Sequence, residues 1–291
     1  MKKFTFLLLM LLMLQAGLIA QERSVEPSWL HRDVSALREH SSDLGSSGCD
    51  YTPIFGEGDE ESRFPLSVGR FGELTVHPHG VCPAVAYPRR EELYLVRDGN
   101  GVLHYEQESH ALAPNDFTYV GPTVRHSISN PSNQSLRLVV VSVKIPSDTF
   151  IAPPGKLVVA NLSELKEQTV EGHPKSVLYK LMIGPRTAAR DRINAAYTVA
   201  DFFLMDFAPA GTNLPHHHET AEEIYLVLDG EGKIAAGGGM DGVEGLHSAK
   251  AGDAYYFRPN CTVGFYNQST AGAKAQILAL RAFVPLPKNP D

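Results

Sequence analysis

Residues Gly211–Gly232 read GTNLPHHHETAEEIYLVLDGEG. His216 and His218 are two positions apart, so on an extended backbone their side chains leave on the same side. A β-rich run follows, and Asp229-Gly230 marks a turn before the next strand. Glu222 or Glu223 adds a carboxylate to this strand-turn-strand unit. Alternation does not choose between them, because Ile224, Leu226 and Leu228 make one face apolar while Tyr225 and Val227 do the same for the other. Two imidazoles and one carboxylate, with positions left open, form the facial triad of non-haem Fe(II) centres. Three adjacent histidines are also compatible with a solvated loop, so the weight of the reading lies in what surrounds them.

Working outward, the unit has a sister copy. Val76–Gly80 (VHPHG) aligns with Phe207–Gly211 (FAPAG), an offset of 131 (207 − 76), and Arg90–Gly101 aligns with Ala221–Gly232 at the same offset. Further on, Asn115–Asn130 aligns with Gly252–Asn267 at an offset of 137 (252 − 115). The extra length falls in the Gly-rich turn around Ala236–Gly245, read as a long hairpin. Each copy consists of short β-rich runs separated by Pro, Gly, Asn and Asp, the texture of a sandwich or barrel. Before the first copy, residues 21–62 are polar and read as an extension packed loosely on a barrel, with a short helix over Trp29–His40. Between the copies, residues 151–194 read as a connector. It holds a Pro-Pro-Gly break, a candidate helix over Leu162–Thr169 opened by Asn161 or Ser163, a basic loop at Arg186–Arg192, and the first strand or two of the next unit.

These motifs resemble the cupin superfamily. In the second copy His216-x-His218, Glu223 and Gly230 match the family's first motif, with Gly211 one place nearer than the pattern asks. Gly252, Asp253, Pro259 and Asn267 match its second motif. The spacing to Gly230 favours Glu223 over Glu222. Val263 stands where the second motif has a histidine. Cupins commonly use three His and one Glu, so this copy supplies two His and one Glu. Cys261 is a candidate substitute ligand, with a buried structural cysteine as the alternative. In the first copy Val85 and Tyr87 replace the H-x-H, while Glu92 and His126 keep their places; His77 and His79 align with a turn and read as turn or surface residues.

The resemblance implies an all-β bicupin: two tandem jelly-roll barrels with a short helical connector. The boundaries are a degenerate barrel at 63–150, the connector at 151–194 and a metal-binding barrel at 195–287. It implies a divalent metal (Fe, Mn, Ni or Zn) on His216, His218 and Glu223. Beside the ligand Glu, Tyr225 reads as a candidate catalytic acid–base group, with core packing as the alternative, and its equivalent Tyr94 reads as core packing. The family includes dioxygenases, decarboxylases, aminohydrolases and sugar binders. The leading expectation is an oxygenase-type enzyme acting on a small polar or aromatic molecule. A metal-dependent hydrolase or decarboxylase is the alternative, with ureidoglycine aminohydrolases sharing the architecture. A non-catalytic small-molecule binder is the third reading.

Composition bounds these readings. The chain has 291 residues, 43% hydrophobic and 20% charged, an ordinary globular balance. Residues 1–20 read as a signal peptide: Lys2 and Lys3, an apolar core, then small residues to Ala20. The expected location is periplasmic or secreted, with no membrane attachment after cleavage. The formal charge is −7, and without Lys2 and Lys3 the mature chain has 24 basic against 33 acidic residues, a charge of −9. That balance argues against nucleic acid and anionic membranes and leaves a small-molecule substrate, with a homo-oligomer compatible. Of the three cysteines, Cys49 and Cys82 can pair in such a compartment, although no spacing indicates it. Arg258 beside Pro259 is either an anion contact at a barrel mouth or a surface arginine.

Overall fold

The computed structural model describes residues 27–238, 244–269 and 272–285; the leader at 1–20 and the centre of the Gly-rich turn lie outside them. Among the described residues nineteen strands and two short 3-10 turns form two barrels, each with one large and one small sheet. No helix among them is long and apolar enough to cross a membrane.

In the first barrel the large sheet runs, in spatial order, Val159–Asn161, Asp116–Val120, Arg90–Asp98, Leu136–Lys144, Val68–Val76 and Cys49–Gly56. Its small sheet runs Glu108–Leu112, Gly101–Tyr105 and His126–Ser129. In the second barrel the large sheet runs Trp29–Asp33, Asp253–Phe257, Ala221–Asp229, Ala275–Phe283, Val199–Phe207, Val177–Pro185 and Ile193–Ala196. Its small sheet runs Glu244–Lys250, Glu231–Gly237 and Thr262–Asn267.

Both faces of the central strands are apolar because both are buried. One face of each large sheet packs on the other barrel: Leu93, Leu95, Val139 and Val141 share a core with Phe202, Leu204, Ile224 and Leu226. The other face lines its own barrel, with Tyr94 and Val96 in the first and Tyr225 and Val227 in the second. Strand parity therefore separates the two neighbouring glutamates. Glu222 shares its parity with Ile224 and faces the other barrel; Glu223 shares its parity with Tyr225 and faces the interior.

Glu222 is an inter-barrel clamp. Its carboxylate accepts hydrogen bonds from the backbone N–H groups of Leu66, Ser67 and Val68 at 2.5–2.8 Å and from the Tyr256 hydroxyl at 2.7 Å. Its repeat equivalent, Glu91, accepts from the N–H groups of Tyr197, Thr198 and Val199 at 2.7–2.8 Å and from the Tyr119 hydroxyl at 3.0 Å. Each barrel thus holds the start of the other's core strand by the same contact. Burial raises the Glu91 carboxyl above its ordinary value, against the pull of those donors.

Three segments depart from expectation. Trp29–Asp33 is a strand on the edge of the second barrel, pairing with Asp253–Phe257, and only Val34–Ala36 turns, as a 3-10 turn capped by Asp33. The edge of the second sheet claims backbone that an isolated peptide could coil. The Leu162–Thr169 helix is reduced to Leu162–Glu164; Asn161 and Glu164 do form a capping box, but the Gln168 backbone bridges to Tyr179 and pulls the chain straight. The connector thus carries a 3-10 turn and strands. Val159–Asn161 pairs with Asp116–Thr118 of the first barrel. Trp29 offset by 131 falls at residue 160, so the strand before each barrel adds to the other barrel. Within the extension, Cys49–Gly56 pairs with Val68–Val76, and a disulfide joins Cys49 to Cys82.

Candidate metal centre

His216 and His218 sit on the loop between Val199–Phe207 and Ala221–Asp229. Leu214 bends this loop with a φ of 57°, in the left-handed region that non-glycine residues seldom occupy. The His216 backbone is pinned to Val263 by two hydrogen bonds, 3.0 Å from its N–H and 2.8 Å to its carbonyl. That close approach needs Gly264, where a Cβ would lie 2.9 Å from Pro215 Cα. His216 Nδ1 lies 2.9 Å from the Leu214 carbonyl oxygen. A carbonyl only accepts, so Nδ1 carries the proton and Nε2 keeps its lone pair for a ligand. Burial lowers the His216 pKa, which favours the same neutral ring.

Glu223 reaches the same place from its strand. One of its oxygens, Oε2, is buried without a hydrogen-bond partner, although His218 Nε2 is 3.1 Å away. Ligand atoms of His216, His218 and Glu223 all lie within 4.8 Å of one another. Metal–ligand bonds of about 2.0–2.2 Å place adjacent donors about 3 Å apart and opposite ones a little over 4 Å apart, so the three donors converge on one point and would have to draw in by a few tenths of an ångström or more to hold a divalent ion. Burial raises the Glu223 carboxyl, but His218, Arg281 and His216 outweigh it and hold the group below the usual carboxylate range. Among the described residues this is the one such cluster of His, Cys, Asp and Glu.

The cavity beside it is small, about 40 Å³. Its walls bring in Arg281, Asp201 and His173, which no sequence spacing singled out, together with Arg190 and Tyr225. Arg281 lies directly across the sheet from Glu223, and Asp201 directly across from Arg281. Arg281 pairs with Asp201 and places Nη1 3.3 Å from His218 Nδ1. Arg190, from the basic loop, reaches over to pair with the same Asp201. His173 from the connector lies with its ring 5.0 Å from that of His216 and its Nδ1 3.0 Å from the Asn213 carbonyl oxygen. Tyr225 lines the cavity, and Asn213 Nδ2 donates to its hydroxyl at 2.9 Å. Burial and the Glu223 charge push the phenol well above its ordinary value.

Other candidates lie elsewhere. Glu222 serves the clamp described above. Cys261 is buried in the second barrel's apolar core, where its thiol donates to backbone carbonyls, and it is not one of the converging donors. Val263 packs in the same core, and His217 is exposed. Arg258 stacks over Phe64 at 4.9 Å. His77 pairs with Asp50, and His79 with Asn133 at 2.9 Å, on a turn.

The equivalent place in the first barrel is built differently. Glu92 lies across from Ser142, and Ser142 across from Arg70. Ser142 Oγ donates to Glu92 at 2.5 Å. The fully buried Arg70 guanidinium donates to Tyr87 Oη at 3.3 Å, Asp43 at 2.8 Å and Glu57 at 3.1 Å, with the Tyr51 ring 5.4 Å from it. His126 Nε2 accepts from the Tyr94 hydroxyl at 2.8 Å, and its Nδ1 donates to the Val124 carbonyl at 3.1 Å. Burial raises the Glu92 carboxyl to about 7, with Arg70 opposing.

Comparison with known proteins places this geometry. The sequence profile described as the cupin domain matches residues 72–142 and 203–279. No curated protein sequence matches the chain. Among solved structures, a Pseudomonas aeruginosa protein described as glyoxylate-induced superposes with a TM-score of 0.71 at 14% identity, covering 93% of this chain and 95% of that one. The Escherichia coli protein Ylba gives 0.66 at 16% identity, covering 94% and 98%. A deletion variant of Bacillus subtilis oxalate decarboxylase, an enzyme with Mn(II) centres, gives 0.61 at 12% identity, covering 87% and 76%. At these identities the likeness is one of fold.

Proposed function

The chain belongs to the cupin domain family, and from that premise we propose that it is a metal-dependent enzyme whose second barrel binds one divalent ion on His216, His218 and Glu223. The observation that carries this reading is the convergence of His216, His218 and Glu223, whose ligand atoms lie within 4.8 Å of one another. Iron, manganese, nickel and zinc all suit such a set, and the Mn(II) centres of oxalate decarboxylase support manganese among them. Bound there, the ion supplies Lewis-acid polarisation of a ligand oxygen, or dioxygen activation in the case of iron.

The chain's own residues position and shield the reaction. The Leu214 carbonyl holds the His216 ring in one tautomer. Leu181, Phe203 and Met205 give the cavity an apolar wall that limits water. Tyr225, with its phenol kept protonated, donates a hydrogen bond to a bound substrate and does not serve as a base. The leading reaction class is oxygenase-type, on a small polar or aromatic molecule, because two imidazoles and one carboxylate leave positions for both substrate and dioxygen. Arg281 and Arg190 at the same cavity favour a second reading, a hydrolase or decarboxylase of a small acid. The proposed location is outside the cytoplasm, supported by the leader pattern of residues 1–20 and compatible with the Cys49–Cys82 disulfide.

The test is turnover of small phenols, hydroxy acids and oxo acids by native protein in an oxygen electrode, with product analysis and His216→Ala as control. Oxygen uptake lost in His216→Ala supports the oxygenase reading. Product formation without oxygen uptake moves the assignment to the hydrolase or decarboxylase. Turnover retained in His216→Ala contradicts the metal-site assignment, and no turnover with any substrate contradicts the enzyme assignment.

A further inference from the structure

The cavity beside the metal centre carries two arginines that metal binding does not require. Arg281 and Arg190 converge on one carboxylate, Asp201, whose side chain is 4% exposed. Arg190 also places Nε 3.3 Å from Oδ2 of Asp191, which is fully buried. Arg281 and His218 line both the inner cavity and an outer groove along His217–Ala221, so this side of the cavity is where a ligand can pass. The Arg190 side chain is 43% exposed, which places it at the cavity's solvent edge.

Charge counting sets the ligand's sign. Two arginines are balanced by Asp201 and Glu223, and a divalent ion adds two positive charges. Asp191, beside Arg190, removes at most one, and burial raises its carboxyl. The site with its ion therefore carries excess positive charge in a largely buried space, which one bound anion relieves. The size follows from the cavity. A single water needs roughly 10–15 Å³, so about 40 Å³ holds about three water-sized groups, and a small ligand extends from it past Arg281 and His218 into the outer groove. Leu181, Phe203 and Met205 leave room for a short hydrocarbon end, not a second charge.

We propose that the cavity binds a short monocarboxylate with a hydroxyl or carbonyl oxygen on the adjacent carbon, a 2-hydroxy or 2-oxo acid, its carboxylate held by Arg281 and Arg190 beside the His216–His218–Glu223 group. The inference rests on the metal reading above. Asp201 holds the two guanidinium groups in place until the anion arrives, and the planar fork of each suits a carboxylate. Both arginines are specificity determinants for the proposed reaction.

The test is calorimetric titration of Mn(II)-loaded full-length protein with lactate, pyruvate, the neutral isostere lactamide and the dianion malate, with metal content measured on each sample. The wild type is expected to bind lactate or pyruvate and to bind lactamide at least tenfold more weakly. Arg190→Gln is expected to keep its metal and lose roughly ten- to a hundredfold in lactate affinity, as loss of a charge-assisted contact does, and Arg190→Lys to recover part of it. Equal affinity for lactamide, tighter binding of malate, or unchanged lactate affinity in metal-loaded Arg190→Gln overturns the proposal and leaves the metal reading intact. Absence of stoichiometric metal overturns both.

Discussion

The two barrels place the same carboxylate at the same point of the same sheet and surround it with opposite solutions. Across the sheet from Glu223 come Arg281 and then Asp201; across from Glu92 come Ser142 and then Arg70. In the second barrel His216 and His218 turn toward the carboxylate, and a cavity remains. In the first, Val85 and Tyr87 stand in their places, and the buried Arg70 guanidinium supplies a fixed positive charge against the tyrosine and two acids. On the proposed metal reading, one copy of the frame would set an exchangeable cation beside its buried glutamate, where the other sets a guanidinium that only partly offsets burial. The histidines are divided in a complementary way. The second barrel keeps the H-x-H and has Val263 at the late position, whereas the first has lost the pair and keeps His126 in a hydrogen bond to Tyr94.

The largest expected effect tests what the barrels share. Glu222→Ala and Glu91→Ala each leave three N–H groups, two of them buried, without an acceptor, so each is expected to cost about 3–5 kcal/mol of stability. Chemical denaturation of both variants should give similar losses. A loss confined to one of them would break the symmetry of the clamp.

A smaller effect separates the barrels by pH. Glu92 has a folded pKa of about 7 against an ordinary 4.5, so the folded state holds its proton longer and stability falls as pH rises from about 4.5 through 7. The drop is on the order of 3 kcal/mol in total. Glu92→Gln should flatten this slope, gaining on wild type between pH 5 and pH 8. Glu223 is shifted the other way, so its contribution is present above the unfolded pKa and fades as pH falls below the ordinary carboxylate range. Parallel pH-stability curves for Glu92→Gln and wild type would contradict a Glu92 carboxyl raised by burial in the first barrel.

The smallest effect concerns the histidines outside either centre. His79→Ala, on an exposed turn, should change stability by less than about 0.5 kcal/mol and leave metal content unchanged. A loss of metal in this variant would place a ligand in the first copy.

The duplication and the His216–His218–Glu223 group were legible in the chain because they rest on local spacing, which survives without knowledge of packing. The choice of Glu223 came from its distance to Gly230. The structure adds the physical reason, since the even-numbered face of that strand belongs to the other barrel. What local spacing does not carry is partnership across strands. Arg281 and Asp201 meet Glu223 only through sheet register, and Arg190 only through a loop fold. The exchanged strands at Trp29–Asp33 and Val159–Asn161 were missed for the same reason: a short edge strand is defined by the sheet that receives it.

The central claim is that one barrel holds an exchangeable cation and the other a built-in one. Elemental analysis of protein purified without a metal-affinity column tests it most directly. The predicted result is one divalent ion per chain in wild type and in Glu92→Gln, and none in His216→Ala or Glu223→Ala with the fold intact by circular dichroism. Two ions per chain, no ion in wild type, or an ion retained by Glu223→Ala would contradict it.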